Sequence, residues 1–285
     1  MYRKHLGQNF LSNPSILRRI IKAAELDTED LVVEIGPGPG GLTKMLAEKV
    51  RKVIAIELDE ELLSKLKFTI AGYENVELIH GDALKYPYKN LPEFKVVANI
   101  PYYITTPLIF RLLEICQTRS VYLQTAKKII PPHPPLAKGG RGDFQIKKNL
   151  KSMTLTVQKE VAERIVAVPG GKDYGVLSIM VQYHANPRLK FIIPKEAFRP
   201  APKVDSAVIH ITILEKPSVD VVDKDFFSRI VKTAFSQRRK MLSNSLKSMR
   251  QDVKEWLSKS DIDPDRRPET LSIEEFAKLA NTFDL

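Results

Sequence analysis

From Leu31 to Asn99 apolar residues fall into short unbroken runs, and between the runs they recur at helical spacing. Leu31-Val32-Val33-Glu34-Ile35, Lys52-Val53-Ile54-Ala55-Ile56-Glu57, Val76-Glu77-Leu78-Ile79-His80 and Lys95-Val96-Val97-Ala98-Asn99 have the length and β-branched content of buried strands. A glycine-rich turn and a helical stretch from about Leu42 to Val50 separate the first two, and another helical stretch at residues 60–70 follows the second. Strands alternating with helices predict βαβ units, hence a mostly parallel sheet covered on both faces. Ahead of them Asn13, as N-cap, and Pro14, at the first helical position, open a helix with Ile16, Leu17, Ile20 and Ile21 as its apolar stripe.

The pattern breaks between Gln117 and Lys151. Pro131-Pro132-His133-Pro134-Pro135 and Gly139-Gly140-Arg141-Gly142 make a low-complexity insertion, about residues 117–150, that is too poor in apolar residues to order itself. Two runs flank it, Ser120-Val121-Tyr122-Leu123 and Ser152-Met153-Thr154-Leu155-Thr156-Val157. The second is the better fifth strand, because the helical segment Gln158–Ile165 follows it directly. Arg188–Ile193 and Ala207–Ile213 alternate like a closing antiparallel pair. Past Pro217 everything reads as helix: Phe226, Phe227, Ile230, Val231, Ala234 and Phe235 share one face, Trp256 and Leu257 lie in another stretch, and Ser272 with Glu275 forms a capping box. Two units are therefore expected, residues 1–216 and a small all-helical domain at 217–285.

Charge sharpens this only after it is divided. Lys and Arg number 45 against 34 Asp and Glu, a formal charge of +11 that suggests a polyanionic partner. Residues 116–151, however, hold eight basic side chains and one acid, so most of the excess lies in the insertion. The more telling cluster is at residues 229–250, where Arg229, Lys232, Arg238, Arg239, Lys240, Lys247 and Arg250 occur with no acid among them. On a chain that acts on nucleic acid, such a run reads as phosphate contact. The single cysteine, Cys116, cannot form an intrachain disulfide. No apolar run approaches the ~18 residues of a membrane span, and Met1–Asn9 has no apolar signal core. A cytoplasmic protein that does not engage membrane and holds no metal is expected.

The chemistry gathers where the strands end. Gly36, Gly38 and Gly41 satisfy the dinucleotide fingerprint G-x-G-x-x-G, in which glycine lets a ligand approach the backbone closely. Glu57 ends the second strand 21 residues after Gly36, where a carboxylate accepts from ribose hydroxyls. Asp82, in Gly81-Asp82-Ala83, is placed to accept from an adenine amine. A nicotinamide dinucleotide and S-adenosylmethionine both suit this geometry, and the fourth strand separates them. It ends Asn99-Ile100-Pro101-Tyr102. The Asn99 side-chain oxygen and the Ile100 carbonyl can accept both hydrogens of an adenine amine, aiming its lone pair at a sulfonium methyl while Tyr102 stacks on the base. Transfer is then mainly alignment of two reactants.

These segments, with Gly7-Gln8-Asn9-Phe10-Leu11, Gln158-Lys159-Glu160-Val161, Phe198–Ala207 and Ala234–Lys240, resemble the KsgA family of small-subunit ribosomal RNA adenine dimethyltransferases across nearly the whole chain. The resemblance implies an α/β, Rossmann-like class I methyltransferase fold, a mostly parallel seven-stranded sheet with a small all-helical C-terminal domain. It implies S-adenosylmethionine held by Asn9, Leu11, Gly36, Gly38, Glu57, Asp82 and Asn99, and Asn99, Ile100, Pro101, Tyr102 and Phe198 as the catalytic set, Phe198 closing on the base with Tyr102. It also implies two adjacent adenosines near the 3′ end of 16S rRNA in the 30S subunit as substrate; from the basic run, Arg238, Arg239, Lys240 and Lys247 are expected to contact that RNA, and the chain is expected to act as a monomer. Between Asn99 and Gln158 the chain is roughly thirty residues longer than the family pattern, beyond ordinary loop lengths. The alternatives are a 23S rRNA methyltransferase of the macrolide-resistance type, a DNA adenine methyltransferase, a ribosome-assembly factor acting by binding, and a nicotinamide oxidoreductase.

Overall fold

The structure, a computed structural model, describes residues 9–115 and 149–283. Chain entry is a two-residue strand, β1 (Phe10–Leu11), followed by helix α1 (Pro14–Ala23). The expected cap is present: Asn13 Oδ1 accepts the N–H groups of Ser15 at 2.9 Å and Ile16 at 3.4 Å. The four expected strands follow as β2 (Leu31–Ile35), β3 (Lys52–Glu57), β4 (Val76–His80) and β5 (Phe94–Asn99). The fifth is β6 (Leu150–Gln158), parallel to β5. The competing run at 120–123, and the insertion itself, lie outside the described residues. Strands β7 (Ala185–Ile193), β8 (Phe198–Arg199) and β9 (Ser206–Ile213) complete the set.

Seven strands form one sheet in the order β4-β3-β2-β5-β6-β9-β7. Six run the same way; β9 alone is reversed, antiparallel to both β6 and β7. The sheet is thus the mostly parallel one expected. Its registers align one aliphatic row across six strands: Ile79, Ile56, Ile35, Ala98, Leu155 and Ile209. One residue further along, the parallel strands carry His80, Glu57, Gly36 and Asn99. Strand order reverses at β2 and β5, where crossovers leave to opposite sides and open a crevice at the carboxyl edge. Phe94 pairs with Leu150 at the other edge, so β6 begins away from this crevice.

Side chains alternate along each strand and so build two cores. Val33, Ile35, Ile54, Ile56, Val96 and Ala98 pack under helix α4 (Thr105–Ile115) and helix α5 (Lys159–Val166). Val32, Val53 and Val97 face α1 and helix α2 (Gly41–Ala47). Helix α3 (Glu60–Thr69) covers the edge beside β3 and β4. A third core belongs to the helices after the sheet, α7 (Lys224–Ser236), α8 (Leu242–Ser245), α9 (Val253–Lys259) and α10 (Ile273–Asn281). Its centre is Trp256, whose Nε1–H donates to the Leu279 carbonyl at 3.0 Å. Helix α6 (Val176–His184) supplies Ile179, Met180 and Tyr183 to the same core, so the C-terminal helices bury their apolar faces partly on a helix that precedes β7. The capping box of α10 forms as expected, Ser272 Oγ accepting from Glu275 N–H at 3.2 Å.

One charged side chain is sealed between sheet and α2. Glu34 is 1% exposed, and neither its Oε2 nor the neighbouring Thr43 Oγ1 has a hydrogen-bond partner. Burial pushes the Glu34 carboxyl up to about 8, and the Glu57 charge adds to it. A carboxyl raised above its unfolded value stabilises the fold fully below about pH 4.5, and this contribution disappears as pH rises through 8. Glu34→Gln keeps the shape without the ionisation. The variant should melt several degrees above the parent chain at pH 8.5, with the gap closing toward pH 5, in thermal denaturation followed by circular dichroism.

Candidate active site

The crevice at the carboxyl edge is the cavity that most of the expected cofactor residues share. Asn9, Gly36, Gly38, Glu57, Asp82, Asn99, Ile100, Pro101 and Tyr102 all line it. Ile35, Ile56 and Ala83 give it an apolar floor, so its few polar groups stand where a nucleoside would present hydroxyls and amines.

Backbone geometry explains the glycines. Gly36 and Gly38 sit at φ +68° and +55°, a region that side chains rarely tolerate. A Cβ on Gly38 would also stand 2.8 Å from the Phe10 ring. The bend brings the Gly38 N–H onto Glu57 Oε2 at 3.3 Å, and the turn after β3 brings the Asp59 N–H onto Oε1 at 2.9 Å. Glu57 is only 7% exposed, and burial raises its carboxyl above the usual range while these donors pull the other way. The result is a carboxylate in a fixed pose at the cavity wall, with lone pairs left for a diol. Asp82 Oδ1 accepts from Leu84 N–H at 2.9 Å, which fixes the turn after β4 and leaves its second oxygen to a ligand.

Asn99 is fixed too. The side-chain atom facing the Asn9 carbonyl, 3.0 Å away, must be the amide nitrogen, because a carbonyl oxygen can only accept. Oδ1 therefore remains as the acceptor. The Ile100 N–H donates to Thr156 O at 3.2 Å, extending the β5–β6 ladder past Asn99. Tyr102 begins a single 3-10 turn at Tyr102–Ile104, and its hydroxyl lies 2.6 Å from Ser206 Oγ.

Two expected residues are not in the cavity wall. Phe198 is completely buried, pairing in β8 with Leu11 of β1. Its ring packs in the core cluster beneath the cavity, with Leu17, Ile193 and Val208 around it. Leu11 is likewise a core residue in the same cluster. Conversely, Phe10, Leu58, Leu62 and Tyr103 line the cavity without being singled out by the sequence. Tyr103 is 54% exposed, and burial together with the charges of Asp82 and Glu57 raises its hydroxyl pKa. Phe10 lies inside a segment that carried the resemblance and Tyr103 is next to Tyr102, so adjacency was the available signal.

On the helical unit Arg239, Lys240 and Lys247 are exposed. Arg238 is half-buried and donates to the Gly171 carbonyl at 3.1 Å. Arg250, part of the basic run, is consumed structurally, paired with Asp252 at 2.6 Å. Among the described residues there is no cluster of metal-ligating side chains and no helix long and apolar enough to cross a membrane.

The family model for ribosomal RNA adenine dimethylases matches residues 1–285. The chain belongs to that family. Curated relatives include "Ribosomal RNA small subunit methyltransferase A" of Moorella thermoacetica, 43% identical over 99% of this chain and 92% of that protein. The protein of the same name from Caldanaerobacter subterraneus is 40% identical over 99% of this chain and 97% of its own length. Among solved structures, a dimethyladenosine transferase from Plasmodium falciparum superposes with a TM-score of 0.72 at 29% identity, covering 96% of this chain and 97% of that one. The 23S rRNA methyltransferase ErmE superposes with a TM-score of 0.68 at 24% identity over 97% of this chain and 100% of its own, which speaks to fold. The fold is that of class I methyltransferases, and the chain is an S-adenosylmethionine-dependent methyltransferase.

The residues present fit that cofactor: an apolar floor for adenine, a clamped carboxylate for the ribose diol, and strained glycines where the backbone must be bare. Glu57→Gln should lower S-adenosylmethionine affinity by about tenfold, the scale of a hydrogen bond to a charged group, with the melting temperature maintained. Calorimetric titration checks it.

Proposed function

We propose that this protein methylates the exocyclic amines of two adjacent adenosines near the 3′ end of 16S rRNA, giving N6,N6-dimethyladenosine on 30S particles during small-subunit assembly. The observation that carries the reading is the Asn99 amide, whose nitrogen is occupied by the Asn9 carbonyl at 3.0 Å inside the cavity shared with Glu57 and Asp82. The names of the relatives favour the small subunit over 23S rRNA.

S-adenosylmethionine, when bound, supplies the activated methyl group. The chain's own work is to prepare the nucleophile. An adenine amine is weakly nucleophilic because its lone pair is delocalised into the ring. Asn99 Oδ1 and the Ile100 carbonyl accept its two hydrogens and favour a pyramidal nitrogen with its lone pair free. Pro101, at φ −55°, turns the chain so that Tyr102 follows as a wall on which the extruded base stacks. Asn9, Gly36, Gly38, Glu57 and Asp82 hold the cofactor opposite. Holding both reactants in line contributes up to ~7–11 kcal/mol at ideal geometry. The alkylated nitrogen is acidic enough to release its proton to water.

The helical segment at residues 217–283 supports a docking role through Arg239, Lys240 and Lys247, while Arg238 contributes part of its guanidinium to the fold.

Asn99→Ala should abolish methylation of 30S particles, with at least about a hundredfold loss of kcat, on the scale of removing a preorganised polar group, while 30S binding is retained. Parallel incubation with 23S rRNA should give no incorporation of label; preferential labelling of 23S rRNA would point to the alternative substrate. Arg239→Glu combined with Lys240→Glu should weaken 30S binding and flatten its logarithmic salt dependence by roughly 0.7–0.9 per lost phosphate contact. Cofactor affinity should not change, and an equal loss of both would mean misfolding.

A further inference from the structure

Tyr102 lies outside every ladder, on a single turn after Pro101, yet the proposed reaction needs its ring in one orientation. A tyrosine anchored only at its Cα retains rotation about both side-chain torsions. A second attachment at the far end of the ring removes that freedom, and Ser206 supplies one, its Oγ 2.6 Å from the Tyr102 hydroxyl. Either atom can be the donor.

Ser206 is well suited to act as a fixed point. It is completely buried and begins β9, the reversed strand, paired with Gln158 on one side and Ile193 on the other. The preceding residue is fastened as well: Asp205 Oδ1 accepts from Lys195 N–H and the Asp205 carbonyl from Lys159 N–H, both at 3.0 Å. Burial raises the Tyr102 hydroxyl pKa, so the phenol stays neutral and the contact is an ordinary hydroxyl pair across the neutral range. The orientation of Tyr102 is thus set from two strands away in the sheet order, not by β5, on which the rest of the Asn99–Tyr102 segment is built.

We propose that Ser206 is a positioning residue for methyl transfer, acting through Tyr102 by tethering the hydroxyl of the ring on which the target base stacks. This rests on the reading of Tyr102 as a wall of the base site.

The test is a double-mutant cycle with Ser206→Ala and Tyr102→Phe, using 30S particles as substrate, with cofactor affinity measured by calorimetry in each variant. Each single change should lower kcat by about 3–10-fold, the scale of one hydrogen bond. Cofactor dissociation constants should stay within about twofold of the parent chain and the double variant should be no slower than either single one. Multiplying losses in the double variant, or parallel loss of cofactor affinity, would overturn the tether. Should Ser206→Ala fail to fold, Tyr102→Phe removes the same bond without touching β9, and parental kcat in that variant would refute the proposal. Tyr102→Ala separates the two levels of inference. Parental activity there would remove Tyr102 from the base site altogether, whereas a large loss beside unaffected Tyr102→Phe would retain the base-stacking wall and discard the tether.

Discussion

A side-chain amide can offer only one end to a substrate if the other is already engaged, and the contact between Asn99 and the Asn9 carbonyl imposes that condition at the crevice. It makes Asn99 an acceptor of fixed direction. It also joins two distant parts of the chain, since Asn9 precedes β1, which pairs with β8. Glu57 follows the same logic. Two backbone N–H groups hold its carboxylate in place, so its remaining lone pairs point into the cavity without a search through rotamers. Preorganisation of this kind supplies alignment before the reactants arrive.

The sheet makes such convergence possible. Parallel strands present all their carboxyl ends on one edge, and the aliphatic row from Ile79 to Ile209 keeps those ends level, so Glu57, Gly36 and Asn99 meet although they are far apart in sequence. The reversed β9 brings the opposite kind of end to that edge: its first residue, Ser206, lies beside the last residues of its neighbours. A single antiparallel strand thus delivers a buried hydroxyl to a rim otherwise made of strand termini.

Basic residues on the helical unit show why charge counts alone mislead. Arg250 and Arg238 belong to the same run as Arg239 and Lys240, but the first closes a pair with Asp252 and the second holds the Gly171 loop. Only the exposed members keep their full charge available to a polyanion.

Local chemistry made most of the fold legible from the chain alone. Buried strands need short β-branched runs, helices need caps such as Asn13 and Ser272, and a bare backbone bend needs Gly36 and Gly38. These requirements act within a few residues, so periodicity and spacing report them, and the strand ends carrying Glu57, Asp82 and Asn99 could be located in advance. Packing across the sheet was decided elsewhere. That the Phe198 ring is buried depends on which residues of β1, β7 and β9 surround it, and no feature of Phe-Arg-Pro-Ala-Pro contains that information. The same holds for Tyr102 meeting Ser206, Tyr103 entering the cavity wall, and Glu34 being sealed against α2. Each is set by contacts between segments brought together only when the sheet closes.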